Sequence, residues 1–195
     1  MGIIYNSKEG ETPLDDLSGL KIKIPNITRN QLDVLEAENI QKAISKYLLS
    51  KRHKTINFNP SFFSTLHKEM FGTVWSWAGT YRTSDTNIGS PKQSIAQDLL
   101  ILSKDLEYWD KSLDSAVRLH HRAVQIHPFA GGNGRWSRFL SALWLRQNCN
   151  QFIFWPEGMD KESPIRQEYL SALRTADGLN YEPLLNLHQT YVRNI

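Results

Sequence analysis

The chain has 195 residues, 40% hydrophobic and 22% charged, with a formal net charge of +3 at pH 7. That size suits one domain with a real core, and the weak positive charge with no basic run does not indicate nucleic acid as the main partner. One cysteine excludes an internal disulfide, and no signal-peptide pattern or membrane-length apolar run occurs, so a reducing, cytoplasmic setting off the membrane is expected.

Residues 1–27 hold Gly10, Pro13, Gly19 and Pro25 and lack a helical period, so they read as an extended arm. Thr28 or Asn30 caps a helix to about Leu49, with Leu32, Leu35, Ile40, Ala43, Ile44, Tyr47 and Leu48 as its apolar positions. Lys51 to Lys54 is a short basic turn. Asn59 and Pro60 start a second helix whose core face is Phe62, Phe63, Leu66, Met70 and Phe71. Thr80 to Ser90 is rich in Thr, Ser, Asp, Asn and Gly and fits a small β-hairpin or exposed flap, which Pro91 stops. Ser94 to Trp109 and Leu113 to Ile126 have helical spacing. Of His120 and His121, one is expected in the core and one in solvent. Phe139, Leu140, Leu143 and Trp144 mark a buried helix that ends near Cys149, expected as a buried structural thiol. Phe152 to Pro156 is an extended connection, and helices follow over Pro164–Ala176 and Pro183–Arg193. The result is one mainly helical domain.

The most informative stretch is His127-Pro128-Phe129-Ala130-Gly131-Gly132-Asn133-Gly134-Arg135-Trp136-Ser137-Arg138. It joins two helices, so it opens onto a helix N-terminus, where unpaired N–H groups and the dipole attract anions. Gly132, Asn133 and Gly134 take positive φ at low cost, which lets N–H groups converge. Arg135 and Arg138 add forked donors suited to phosphate oxygens. His127 at the lip titrates near neutrality and suits a general base. The pattern is a phosphate cradle with a base beside it.

This stretch resembles the signature of the Fic (fido) family, His-x-Phe-x-(Asp/Glu)-Gly-Asn-Gly-Arg-x-x-Arg, with Gly131 in place of the acid. Trp77-Ala78-Gly79-Thr80-Tyr81-Arg82 is similar to the family's segment before its flap. Tyr169-Leu170, Ala172-Leu173 and Ala176-Asp177-Gly178 resemble its C-terminal helices. Gly10-x-Thr12-Pro13-Leu14 and Leu35 to Ile40 look like the branch called mobile mystery protein B. The resemblance implies an all-α, mainly helical bundle with a small β-hairpin flap beside the active site. It divides the chain into an N-terminal arm and inhibitory helix, residues 1–54, packed on a Fic domain, residues 55–195, as one globular unit.

The implied activity is protein adenylyltransferase, moving AMP from ATP onto a Ser, Thr or Tyr hydroxyl of a target protein. His127 resembles the base. Gly131, Gly132, Asn133, Gly134, Arg135 and Arg138 resemble the nucleotide-phosphate residues. The resemblance makes Thr83, Ser84, Asp85, Thr86, Asn87 and Ile88 the expected target-docking flap. The Glu38-Asn39 pair resembles part of an inhibitory helix motif, which implies Glu38 across the nucleotide site, paired with Arg138. Gly131 brings no carboxylate, so Mg²⁺ is expected to bind weakly or ride on the nucleotide, with Asp85 as a guessed substitute ligand and no protein metal ligand assigned. Two alternatives follow. One is a degenerate domain that binds nucleotide without efficient transfer. The other is an enzyme that removes AMP or transfers another phosphate-containing group. Auto-modification and homo-oligomer formation are open among the partners.

Overall fold

The first long helix begins on a reciprocal cap. The Thr28 hydroxyl accepts the Gln31 N–H at 3.3 Å, and Gln31 Oε1 accepts the Thr28 N–H at 2.8 Å. The computed structural model describes residues 19–24, 27–48, 50–156, 158–159 and 163–195. Most of the expected arm, including Gly10 to Leu14, lies outside them. The described end of the arm is tied down: Leu20 bridges Trp75, and Lys21 N–H and Val74 C=O meet at 2.8 Å.

Helix α1 runs over Arg29–Leu48, and its buried stripe is Leu32, Glu36, Asn39, Ala43 and Tyr47. Steps of three and four residues put these on one face, so two polar side chains are carried into the interior. A short 3₁₀ turn, Lys51–Thr55, leads to α2, Pro60–Phe71. There Asn59 Oδ1 caps the Phe62 N–H at 2.9 Å, with Pro60 in the first turn, as the sequence suggests. Helix α3 is Ile95–Tyr108, α4 is Leu113–Ile126 and α5 is Asn133–Cys149. Strand β1, Gln151–Ile153, is followed by α6, Pro164–Asp177, and α7, Glu182–Tyr191. Strand β2, Val192–Asn194, pairs antiparallel with β1, Ile153 opposite Val192.

The fold is mainly helical with one small antiparallel sheet among the described residues, but the strand pairing lies away from the flap. Residues 80–90 carry a single bridge, Tyr81 to Phe129, and otherwise bend. Their backbone is held by side chains: Thr86 Oγ1 donates to Ile88 C=O at 2.5 Å, and Asp85 Oδ1 accepts from Lys92 N–H at 2.8 Å. The last helix also ends two residues earlier than the pattern suggests, because Val192 turns extended to complete the sheet.

Helix α5 is the axis. Its residues from Trp136 to Leu145 are all buried, which a helix achieves only when packed on every side. One core joins it to α1, α2 and α3 around Phe63, Leu66, Trp75, Leu99 and Leu143. A smaller core gathers Val117, Tyr169, Leu173, Leu184 and Leu187 under α6 and α7. Helix α4 serves both, giving Leu119 and Ala123 to the first and Val117 to the second. For that reason His120 and His121 are both buried, against the expectation of one in solvent. Cys149 also differs from expectation: it is half-buried, with Sγ 3.4 Å from Lys111 C=O, and burial raises its pKa. No helix among the described residues is long and apolar enough to cross a membrane.

Candidate active site

Helix α4 ends at His127, which adopts φ 49° and ψ 58°, left-handed backbone that a non-glycine residue enters at a cost. The turn brings the imidazole back beside the start of α5 and buries it to 4% exposure. Burial, then the Arg82 guanidinium, pushes its pKa down to about 4, against a raising contribution from a bond to the Val124 backbone. The ring is therefore neutral at pH 7.

The glycine turn is fitted to its neighbours. Gly132 has φ 75°, and a Cβ there would stand 2.6 Å from Cζ of Phe71. A Cβ on Gly131 would meet Trp77 Cη2 at 3.1 Å. His67 fastens the loop from below. Its Nδ1 accepts the Gly79 N–H at 3.0 Å, which leaves Nε2 as the donor to Gly131 C=O at 2.9 Å. Its ring stacks on Phe129 at 3.7 Å, and burial pushes its pKa down to about 3. The Asn133 side chain is spent on the turn itself: Oδ1 accepts from Phe129 N–H at 2.9 Å, and Nδ2 donates to Phe129 C=O at 2.8 Å. What Asn133 and Gly134 offer an anion is their backbone N–H at the helix start.

His127, Gly131, Gly132, Asn133, Gly134, Arg135 and Arg138 all line one cavity of about 1430 Å³. Of the flap, Ile88 lines it; Thr83, Ser84, Asp85 and Asn87 are exposed and Thr86 is half-buried. Asp85 is held at the flap, 3.8 Å from the Arg82 guanidinium, and is not on the cavity wall. The inhibitory-helix residues fall differently from expectation. Glu38 is exposed and off the cavity wall, while Asn39 is buried and donates to Thr73 Oγ1. Glu36, two residues earlier, reaches the site. Its Oε2 pairs with Arg135 Nη2 at 2.5 Å, and its Oε1 accepts the Trp75 Nε1–H at 2.5 Å. The reason is rotation: position 36 shares the buried stripe, and position 38 lies about 200° further round the helix.

Arg82 is a second residue that the motif reading passed over. Its guanidinium donates to His127 C=O at 2.8 Å, to Ser84 C=O at 2.8 Å and to Ser90 C=O. The backbone adds Arg82 N–H to Pro128 C=O at 2.9 Å and Ser90 N–H to Ile126 C=O at 3.2 Å. One buried side chain thus joins both ends of the flap to the histidine turn. The signal in sequence is its place at the end of Trp77–Arg82, beside the flap. His67 had no such signal; a histidine four residues after Phe63 looks only like part of a core face.

Over residues 57–145 the chain matches the model of the Fic/DOC family. The matched stretch takes in α2 to α4, most of α5 and the whole His127–Arg138 turn. The chain is 30% identical over 117 residues to the protein adenylyltransferase Fic of Drosophila mojavensis, covering 55% of this chain and 22% of that protein. It thus spans less than a quarter of that relative's length. The Fic-1 structure from C. elegans, residues 134–508, superposes with a TM-score of 0.67 at 22% identity, over 87% of this chain and 51% of that one. BepC from Bartonella tribocorum, solved with AMPPNP bound, gives 0.65 at 19% identity, over 89% and 90%. The fold is shared with both, and the helix-start motif on the cavity wall lies within the matched residues, while α1 and α6 line the cavity from outside them.

Proposed function

We propose that the chain is a Fic-type protein adenylyltransferase, which moves AMP from ATP to a Ser, Thr or Tyr hydroxyl of a target protein and is held back by α1. The observation that carries this reading is one cavity wall joining a neutral imidazole, a glycine-shaped helix start and two guanidiniums. His127 takes the proton of the incoming hydroxyl as its oxygen bonds to the α-phosphorus. The bond to the β-phosphate oxygen breaks, and pyrophosphate leaves. Helix-start N–H groups, Arg135 and Arg138 stabilise charge on the phosphate oxygens during transfer. The exposed flap backbone at Thr83 to Ile88 offers pairing to an extended target segment. On this reading residues 1–54 are the regulatory part and 55–195 the transferase. Gly10 to Leu14 and Leu35 to Ile40 support the mobile mystery protein B branch.

The residues present do not fit a protein-held magnesium ion. Gly131 has no carboxylate, the Trp77 edge stands where a side chain would start, and no metal-holding group of His, Cys, Asp or Glu occurs among the described residues. No step above passes through a metal. The same feature favours a second reading, nucleotide binding without efficient transfer.

Restraint is assigned to Glu36 in place of Glu38. A buried carboxylate neutralises Arg135 on the cavity wall and would repel the anionic triphosphate. With α-labelled ATP and cell lysate, Glu36→Gly raises protein labelling at least about tenfold, an increment near 1.4 kcal/mol. Glu38→Gly leaves labelling unchanged, and Glu36→Gly with His127→Ala is silent. Tight ATP binding by Glu36→Gly without labelling supports the binding-only reading. No ATP binding by any variant overturns both readings.

A further inference from the structure

Three helices meet at a buried group that the transfer chemistry above does not use. His188 on α7, His120 on α4 and Tyr169 on α6 are exposed by 0%, 0% and 3%, and they stand in a line of hydrogen bonds. The proton positions in that line follow from one end. Leu184 C=O can only accept, so His188 Nδ1 carries a proton and donates to it at 2.7 Å. A neutral His188 then has a lone pair on Nε2, and this accepts from His120 Nδ1 at 3.0 Å. His120 Nε2 is left as an acceptor, and Tyr169 Oη donates to it at 2.9 Å. Both rings are neutral: burial pushes His188 down to about 4 and His120 well below its ordinary value.

The line ends under the second motif arginine. The Arg138 guanidinium carbon lies 5.6 Å from the centroid of the Tyr169 ring. That ring is fixed at its hydroxyl by His120, which also stacks along it at 5.6 Å and 21°. Trp155 stands edge-on to Tyr169 at 5.9 Å and to His188 at 4.8 Å, closing the open side. An aromatic face attracts a guanidinium through the negative charge of its ring face, and so fixes where the cation sits. Arg138 thus rests on a fixed ring and is one of the residues that line the cavity.

We propose that His188, His120 and Tyr169 form a proton-ordered line that positions Arg138 to receive phosphate oxygens. This rests on the adenylyltransferase reading, because it is that reading which gives Arg138 a phosphate. All three are positioning residues, acting through the arginine.

The test uses the full chain carrying Glu36→Gly, with inorganic tripolyphosphate as the probe. Ring-nitrogen NMR should show Nδ1 protonated and Nε2 unprotonated on both His120 and His188. Adding tripolyphosphate should shift the His120 signals, and Arg138→Ala should abolish that shift. Tyr169→Phe keeps the ring but loses the anchor and should bind the probe about threefold more weakly; Tyr169→Leu should lose about tenfold. The opposite tautomer on either histidine overturns the ordered line even if no variant folds. Wild-type-like binding by Tyr169→Leu overturns the positioning role and leaves the adenylyltransferase reading intact. Failure of the unsubstituted Tyr169 chain to bind tripolyphosphate or ATP overturns both.

Discussion

Single residues set the shape of the glycine loop, and Gly132 is the least replaceable. Its φ of 75° is left-handed, and a methyl group there would press within 2.6 Å of the Phe71 ring. Phe71 is itself fully buried and cannot swing away cheaply. Gly132→Ala combines backbone strain with overpacking, and should destabilise the fold by about 3 kcal/mol. Urea unfolding measures this; a loss below about 1 kcal/mol would mean the loop relaxes freely. The glycine was legible in the sequence because motif and turn chemistry agree there. Glu36 was not read, although a signal existed. Leu32, Ala43 and Tyr47 already mark a helical stripe, and positions 36 and 39 fall on it. The Glu38-Asn39 pair is a local pattern that says nothing about which way the helix faces.

Among the elements, the flap shows how far a composition argument reaches. Thr80 to Ser90 was identified as an exposed segment beside the site, and exposure holds for most of it. Its expected hairpin pairing does not appear among the described residues, because Arg82 supplies the cross-links that a ladder would have given. A lysine cannot reproduce that fork with one ammonium. Arg82→Lys should therefore lower target labelling at least about tenfold, the effect of losing one charged hydrogen bond or more. ATP affinity should change less, within about threefold, because the proposed phosphate site is the start of α5 and not the flap. Parallel losses in labelling and affinity would show that Arg82 supports the whole loop and not the flap in particular. Caps were the most legible parts of the helices: Asn59 with Pro60, and Thr28 as one of two candidates for the first, the structure adding Gln31 as its partner. The β1–β2 sheet was not, since three-residue strands carry too little alternation to register.

For the whole molecule, the buried histidines couple folding to acidity. His67, His120, His127 and His188 are buried, and all have pKa values below 6.5: about 3 for His67, about 4 for His127 and His188, and well lowered for His120. The unfolded chain takes up protons at these sites as pH falls through 6.5, while the folded chain does not. Stability is therefore full above pH 6.5 and declines as pH drops toward the folded values. Each such histidine removes about 1.4 kcal/mol per pH unit within that window. Urea midpoints should fall steeply between pH 6.5 and pH 5, and a flat profile there would contradict neutral burial. Sequence reading gave the mainly helical bundle but not this property. That α4 is covered on both faces depends on two cores meeting along it, and periodicity in one helix cannot report what packs against its other side.

The Trp75 contact gives this molecule a built-in optical signal. The indole N–H that binds Glu36 belongs to a ring stacked on Trp77 at 5.0 Å, and Trp77 lines the cavity. An indole's emission depends on charge and hydrogen bonding around its nitrogen. One carboxylate serves both Arg135 and the Trp75 indole, so a movement of Glu36 out of this position would remove the anionic partner of that nitrogen. If Glu36 restrains the site as proposed, its release should change tryptophan emission, and stopped-flow fluorescence of the unlabelled protein should time that release before any target is known.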